Sequence, residues 1–152
     1  MKNVNQTDAE SLSQAAGMVK EEQQNARIIA GGTDLLSVLK HKLEPDYPET
    51  IVNIKSIEGL DHIVEDEDGL KIGATAKLCD IASSPLIQQE YGALADAARS
   101  VATPLIRNLA TIGGNLCQAV RCWYYRYPDE IGGRIQCLRK GGATCNAMPG
   151  EN

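Results

Sequence analysis

The chain has no phenylalanine, a single tryptophan and two histidines in 152 residues. Neither His41 nor His62 stands in a recognisable arrangement with a nucleophile, so Ser–His or Cys–His hydrolysis has no support. Basic residues are not in excess: 15 Lys and Arg face 20 Asp and Glu, for a net charge of −5, which gives no electrostatic footprint for nucleic acid. No apolar run approaches the ~20 residues needed to span a bilayer. The opening, "MKNVNQTDAESLSQ", lacks the apolar stretch of a signal peptide. The expected location is therefore the cytoplasm, where thiols stay reduced and structural disulfides are rare. An odd number of cysteines, five, points the same way. Repeats, low-complexity tracts, a P-loop and a G-x-G-x-x-G fingerprint are all missing. The acidic run Glu65–Gly69 lacks the ligand pattern of an EF-hand loop.

What is present fits one domain with a real hydrophobic core: 43% of residues are hydrophobic and 23% charged. The charge is uneven. Residues 1–120 carry ten basic against seventeen acidic residues, and residues 121–152 carry five against three. Along the chain, Thr7 and Glu10 match a capping box before a helix with Leu12, Ala15, Ala16 and Val19 on one face. "ARIIAGG" reads as a strand entering a tight loop, and Leu35, Leu36, Leu39 and Leu43 mark the next helix. "TIVNI" is a further strand, and Asp68-Gly69 is the turn of a hairpin. Residues 77–100 read as helical with a break at Pro85. A short strand-like run then enters a second glycine pair. Without a regular βαβ alternation, the expected class is α+β.

The two glycine pairs carry the first functional signal. In "AGGTDLL" (Ala30–Leu36), Gly31 and Gly32 let a ligand approach the backbone. Loop amides and those opening the next helix suit a phosphate. Thr33 adds a hydroxyl, and Asp34 either caps the helix or meets a ribose-type hydroxyl. "TIGGNL" (Thr111–Leu116) repeats the chemistry. A lone glycine pair after a strand is more often just a turn, so the residues alone reach no further than an anion site clasped by two loops.

The second signal is the segment "RCWYYRYPDEIGGRIQCLRKGGATC" (residues 121–145), which holds three of the five cysteines, the tryptophan and three of the five tyrosines. The spacing is Cys117-x4-Cys122-x14-Cys137-x7-Cys145. Soft thiolates suit zinc or an iron–sulfur cluster, either of which usually takes four protein ligands. Paired C-x2-C knuckles, which zinc favours, are absent. By spacing alone, a cluster, zinc and uncoordinated thiols all remain open. Trp123, Tyr124 and Tyr125 read as a cluster shield, as loop packing or as a partner-facing patch. Cys79, in "KLCDIA", reads as a buried, inert thiol.

Taken together and in order, "ARIIAGGTDLL", "IVNIKSIEGL", "LKIGATAKLCDIASSP" and "ARSVATPLIRNLATIGGNLCQ" resemble the FAD-binding (medium) subunits of molybdenum hydroxylases, the carbon monoxide dehydrogenase and xanthine dehydrogenase family. The resemblance runs from about residue 8 onward. It implies the two-lobed α+β flavin-binding domain of the vanillyl-alcohol-oxidase type, of which this chain is an N-terminal portion. The expected regions are an N-terminal lobe (1–55), a partial second lobe (56–120) and a partial cysteine-rich insertion (121–152). It also implies that FAD is held by Ala30, Gly31, Gly32, Thr33, Asp34, Thr111, Gly113, Gly114 and Asn115. Arg107 then either faces the flavin or makes a surface ion pair. The pieces "CWYYR", "CLRKGG" and "ATCNAMPGEN" resemble the insertion of the 4-hydroxybenzoyl-CoA reductase type. That implies a [4Fe–4S] cluster with Cys122, Cys137 and Cys145 as ligands, the fourth being Cys117 or a residue beyond Asn152.

The implied assembly has a large subunit with the molybdenum cofactor, a small [2Fe–2S] subunit, and a ferredoxin-like or nicotinamide carrier that exchanges electrons with FAD. The alternative is a non-catalytic module of the same fold, or a zinc- or cluster-stabilised assembly protein without flavin.

Overall fold

A computed structural model describes residues 2–129 and 131–148. Its N-terminal part is organised around "TIVN". In this strand Thr50, Ile51 and Val52 are all buried, as expected of a strand covered on both faces. It is the centre of a three-stranded parallel sheet: β1 (Asn5–Asp8) lies on one side, β2 (Ala26–Ile29) on the other, and β3 (Thr50–Asn53) between them. Ile51 stands opposite Gln6 and Arg27, and Val52 opposite Thr7 and Ile28. Helix α1 (Leu12–Glu22) connects β1 to β2, and α2 (Leu35–Lys40) connects β2 to β3. Ala9, Ala15 and Val52 form the core between α1 and the sheet, with Met18, Val19, Ile54 and Ile57 at its edge.

This lobe corrects one expectation. Thr7 is not a helix cap; it lies in β1, paired with Val52. The cap is Ser11, whose hydroxyl accepts from Gln14 N at 3.2 Å, while Gln14 Oε1 accepts from Glu10 N at 2.6 Å. The cap thus stands four residues later than expected. The residues before it continue a parallel ladder whose partner is 45 positions away. With β1 in place, the lobe is a regular β-α-β-α-β run inside a mixed α+β chain.

The expected hairpin forms from β4 (Ile63–Asp66) and β5 (Gly69–Ile72), closed at the Asp66–Gly69 pair. Its acidic turn is met by Lys71, whose Nζ lies 2.5 Å from Asp66 Oδ2 and 3.3 Å from Asp68 Oδ2. Helices α3 (Leu78–Ser83), α4 (Pro85–Glu90) and α5 (Gly92–Ser100) follow. Pro85 breaks the helical run as expected, opening α4 behind the Ser84 cap. Leu78, Ile81, Ile87, Ala95 and Ala98 pack with Ala76 and Ala110, and the hairpin's Ile63, Leu70 and Ile72 lean on them.

The run before the second glycine pair is not a strand. Thr103 caps a single helical turn, α6 (Pro104–Arg107). The chain then docks on α3 by Leu78 N donating to Ala110 O at 2.9 Å and by one isolated Lys77–Thr111 bridge. The glycine pair itself sits in the first turn of α7 (Ile112–Cys117). Helix α8 (Trp123–Arg126) and a 3-10 turn at Leu138–Lys140 are the regular pieces of the cysteine segment among the described residues. No helix among them is long and apolar enough to cross a membrane.

Candidate functional site

The two glycine loops meet. A methyl group built on Gly31 would sit 2.2 Å from Leu109 O and 2.9 Å from Ala110 Cα. The first loop is thus pressed against the backbone that enters the second, and no side chain fits between them. Gly32 has φ +72°, the left-handed conformation that favours glycine. Thr111 is buried; its hydroxyl accepts from Gly114 N at 3.3 Å and its carbonyl from Asn115 N at 2.9 Å. Ala30, Gly31, Gly32, Thr33, Asp34, Thr111, Gly114 and Asn115 all line one cavity of about 810 Å³, within the usual range for small-molecule sites. Gly113 is the exception among the predicted loop residues. It packs against the hairpin connection, donating to Ala74 O at 3.0 Å, and a Cβ there would lie 2.8 Å from that same oxygen.

The amides of Gly31, Gly32 and Thr33 donate to no acceptor among the described residues. Together with the glycine backbone they form a cradle that fits an anionic group such as a diphosphate. At six residues, α2 contributes little dipole of its own.

Asp34 does not cap α2. Its carboxylate turns instead to the chain beyond α7. Oδ1 lies 2.8 Å from Arg126 Nη2 and 3.4 Å from Arg121 Nη2, while Oδ2 accepts from Ala119 N at 3.2 Å and Arg126 Nη2 at 3.1 Å. Glu44, on the same cavity wall, is met by Arg27 Nη2 at 3.4 Å and by the Tyr125 hydroxyl at 3.1 Å. Burial, reinforced by the Glu44 charge and hydrogen bond, pushes the Tyr125 phenol up to about 12. Arg107 Nη1 donates to Val101 O at 2.7 Å and Ala102 O at 3.4 Å, bracing a stretch that itself lines the cavity. Sequence reasoning gave Arg121, Arg126 and Glu44 no role at this site, because their link to the first loop spans up to 92 positions.

Cys137 is buried with Val38, Leu43 and Tyr125, and Cys122 packs against that cluster. The segment folds back after Cys137 by Gly142 N donating to Cys137 O at 2.8 Å and Leu138 N to Thr144 O at 2.9 Å, which leaves Cys145 half-buried beyond the turn. Cys117 is exposed at the cavity. Among the described residues no three Cys, His, Asp or Glu side chains converge in a set able to hold a metal. Cys122, Cys137 and Cys145 form no such set among the described residues. The tail of "ATCNAMPGEN" from Pro149 onward lies outside the described residues. Cys79 is half-buried, not buried as expected; burial and its hydrogen bond to Asp80 push the thiol up, away from the reactive thiolate.

Residues 2–122, comprising both glycine loops and ending at the first cysteine of the segment, match the family described as FAD binding domain in molybdopterin dehydrogenase. The chain belongs to that family. Among curated relatives of this FAD-binding domain, it is 36% identical over 126 residues to the aldehyde oxidoreductase FAD-binding subunit PaoB of Escherichia coli (strain K12), covering 82% of this chain and 37% of that one. It is 37% identical over 107 residues to the nicotinate dehydrogenase FAD-subunit of Eubacterium barkeri, covering 70% and 36%. In three dimensions it is similar to a chain of carbon monoxide dehydrogenase from Hydrogenophaga pseudoflava. The TM-score is 0.71 at 31% identity, over 76% of this chain and 39% of that one. The chain thus spans little more than a third of the relatives it matches.

Proposed function

We propose that this FAD-binding domain serves as the electron-transfer flavin unit of a molybdenum hydroxylase-type oxidoreductase. The observation that carries the reading is one cavity of about 810 Å³ lined by residues of both glycine loops, among them Gly31, Gly32 and Thr33, whose amides donate to no acceptor among the described residues. Those amides, with Thr111 and Asn115, would hold the FAD diphosphate. The bound flavin would supply the redox centre, and the protein's part is to bind it, orient it and limit its access to water. In the same reading, substrate chemistry belongs to a large molybdenum-cofactor subunit. A small [2Fe–2S] subunit feeds electrons to FAD, and a ferredoxin-like or nicotinamide carrier exchanges them outside.

The cysteine segment as a 4-hydroxybenzoyl-CoA-reductase-type [4Fe–4S] site is the finer part of this proposal. Thiol number and spacing support it, as does the shared apolar cluster of Cys122 and Cys137.

The test is purification without oxygen, a visible spectrum, and quantification of iron, zinc, sulfide and released flavin. Stoichiometric flavin supports the leading reading, and about four irons per chain would support the cluster. Flavin without iron would remove the cluster. Absence of both flavin and iron would favour a non-catalytic module, and zinc without flavin an assembly protein.

A further inference from the structure

Two carboxylates, Asp34 and Glu44, stand on the wall of a cavity whose loop amides suit an anion. A carboxylate beside a diphosphate repels it, and does so more strongly where water is partly excluded. Neither carboxylate is left bare. Among the described residues, apart from Arg27, the groups that meet them come from one short stretch, residues 119–126: the Ala119 amide and the Arg121 and Arg126 guanidiniums on Asp34, and the Tyr125 hydroxyl on Glu44. The Asp34–Arg126 contact is largely shielded, with side chains 15% and 16% exposed. Two guanidiniums against the Asp34 carboxylate leave that group of three charges net positive. Arg139, which also lines the cavity, lies over the Tyr125 ring at 5.2 Å and adds to it.

We propose that residues 119–126 buttress the cofactor site, Ala119 and Arg121 lining it and Arg126 standing behind the lining, and that Arg126, assisted by Arg121, masks Asp34 so that the first glycine loop accepts the diphosphate of FAD. The proposal rests on the FAD-binding reading above. Arg126 acts through Asp34 and is a positioning residue. The cysteine segment thereby acquires a role at the flavin that is independent of any metal it holds.

A merely structural pin and a charge mask make different predictions for the double variant. Affinities for FAD, by flavin fluorescence, and for inorganic pyrophosphate, by calorimetry, are measured on the purified wild-type protein and on R126Q, R126K, D34N and R126Q/D34N. Thermal unfolding confirms that each variant is folded. R126Q is expected to weaken both ligands by about tenfold or more, and R126K to stay within about threefold of wild type. D34N alone should bind no more weakly than wild type. Adding D34N to R126Q should recover most of the loss, because the unmasked carboxylate is then gone. Wild-type affinity in R126Q overturns the proposal. So does a folded double variant as weak as R126Q, which would make Arg126 a pin, or weakened binding by D34N, which would make the carboxylate itself a cofactor ligand. A wild-type protein that binds neither ligand overturns the FAD reading beneath it, and the proposal with it.

Discussion

An alanine methyl at Gly31 would collide with the Leu109 carbonyl, a backbone atom that cannot rotate away, whereas at Gly32 the nearest atoms are the side-chain ends of Ile29 and Leu36 at 3.2 and 3.3 Å. Gly31→Ala is therefore expected to cost about 3 kcal/mol, the upper end for overpacking. Gly32→Ala should cost about 1–2 kcal/mol for the left-handed backbone. Gly17, inside α1 with nothing within 4 Å of its missing methyl, should gain about 0.5–1 kcal/mol as alanine. Urea unfolding of the three variants checks the order and the change of sign. Tyr125 offers a pH test. Its phenol is raised from 10 to about 12 in the folded protein, so its contribution is complete below pH 10 and is lost as pH rises through about 12. Stability measured against pH should fall over that interval by more in wild type than in Tyr125→Phe. Identical slopes would show that the buried phenol is not the titrating group. The glycine pairs were visible in the sequence because their chemistry is local. The partners of Asp34 were not, because nothing in "TDLL" indicates an arginine 92 positions on.

At the scale of elements, the hairpin and the break at Pro85 were legible, since a Gly with φ +112° after Asp68 and a proline at a helix start each act on their immediate neighbours. Strand β1 was not. "NQTD" is exposed along its whole length and has no apolar alternation; it is a strand because β3 lends it a parallel ladder. The shifted start of α1 follows from that ladder and is testable. Ser11→Ala should destabilise by about 1 kcal/mol through loss of the cap, while Thr7→Ala should change stability by less than about 0.5 kcal/mol as an exposed substitution. Equal losses in chemical denaturation would contradict the cap assignment. The second glycine pair was expected in a loop and lies in α7 instead. Gly113 can be helical there because its missing side chain leaves room for the Ala74 carbonyl.

For the whole molecule, the cysteine segment is not a loose appendage. Tyr125 and Cys137 pack on Val38 and Leu43, and Lys140 is buried with its Nζ 2.9 Å from Tyr127 O and 2.5 Å from Asp129 Oδ1. Arg134 closes the same turn on the Lys140 carbonyl. Lys140→Ala should cost about 2 kcal/mol, through loss of the charged hydrogen bonds of a buried ammonium whose partner Asp129 stays 30% exposed. Hydrogen exchange should quicken across residues 127–145 while the amides of β2 and β3 stay protected. Unchanged exchange in the segment would mean that the ion pair does not organise it. Bound FAD should raise stability by about 2.7 kcal/mol at a hundredfold excess over its dissociation constant, read as a rise in Tm on adding FAD. Absence of that rise in a folded protein would remove the flavin from the proposed site.

The sequence by itself determined the elements whose causes are short-range, namely the first glycine loop, the hairpin turn and the broken helical run, and its ordered motifs pointed to a flavin-binding domain. Tertiary structure decided what those loops face. It pressed Gly31 onto the Leu109 carbonyl, recruited a polar strand into a parallel sheet, and turned Asp34 away from its own helix toward Arg126. Each of these depends on groups far apart in the chain that meet only when the core closes. Local pattern specifies backbone conformation, whereas the partner of a buried charge is selected by which side chains the fold brings within a few ångströms of it.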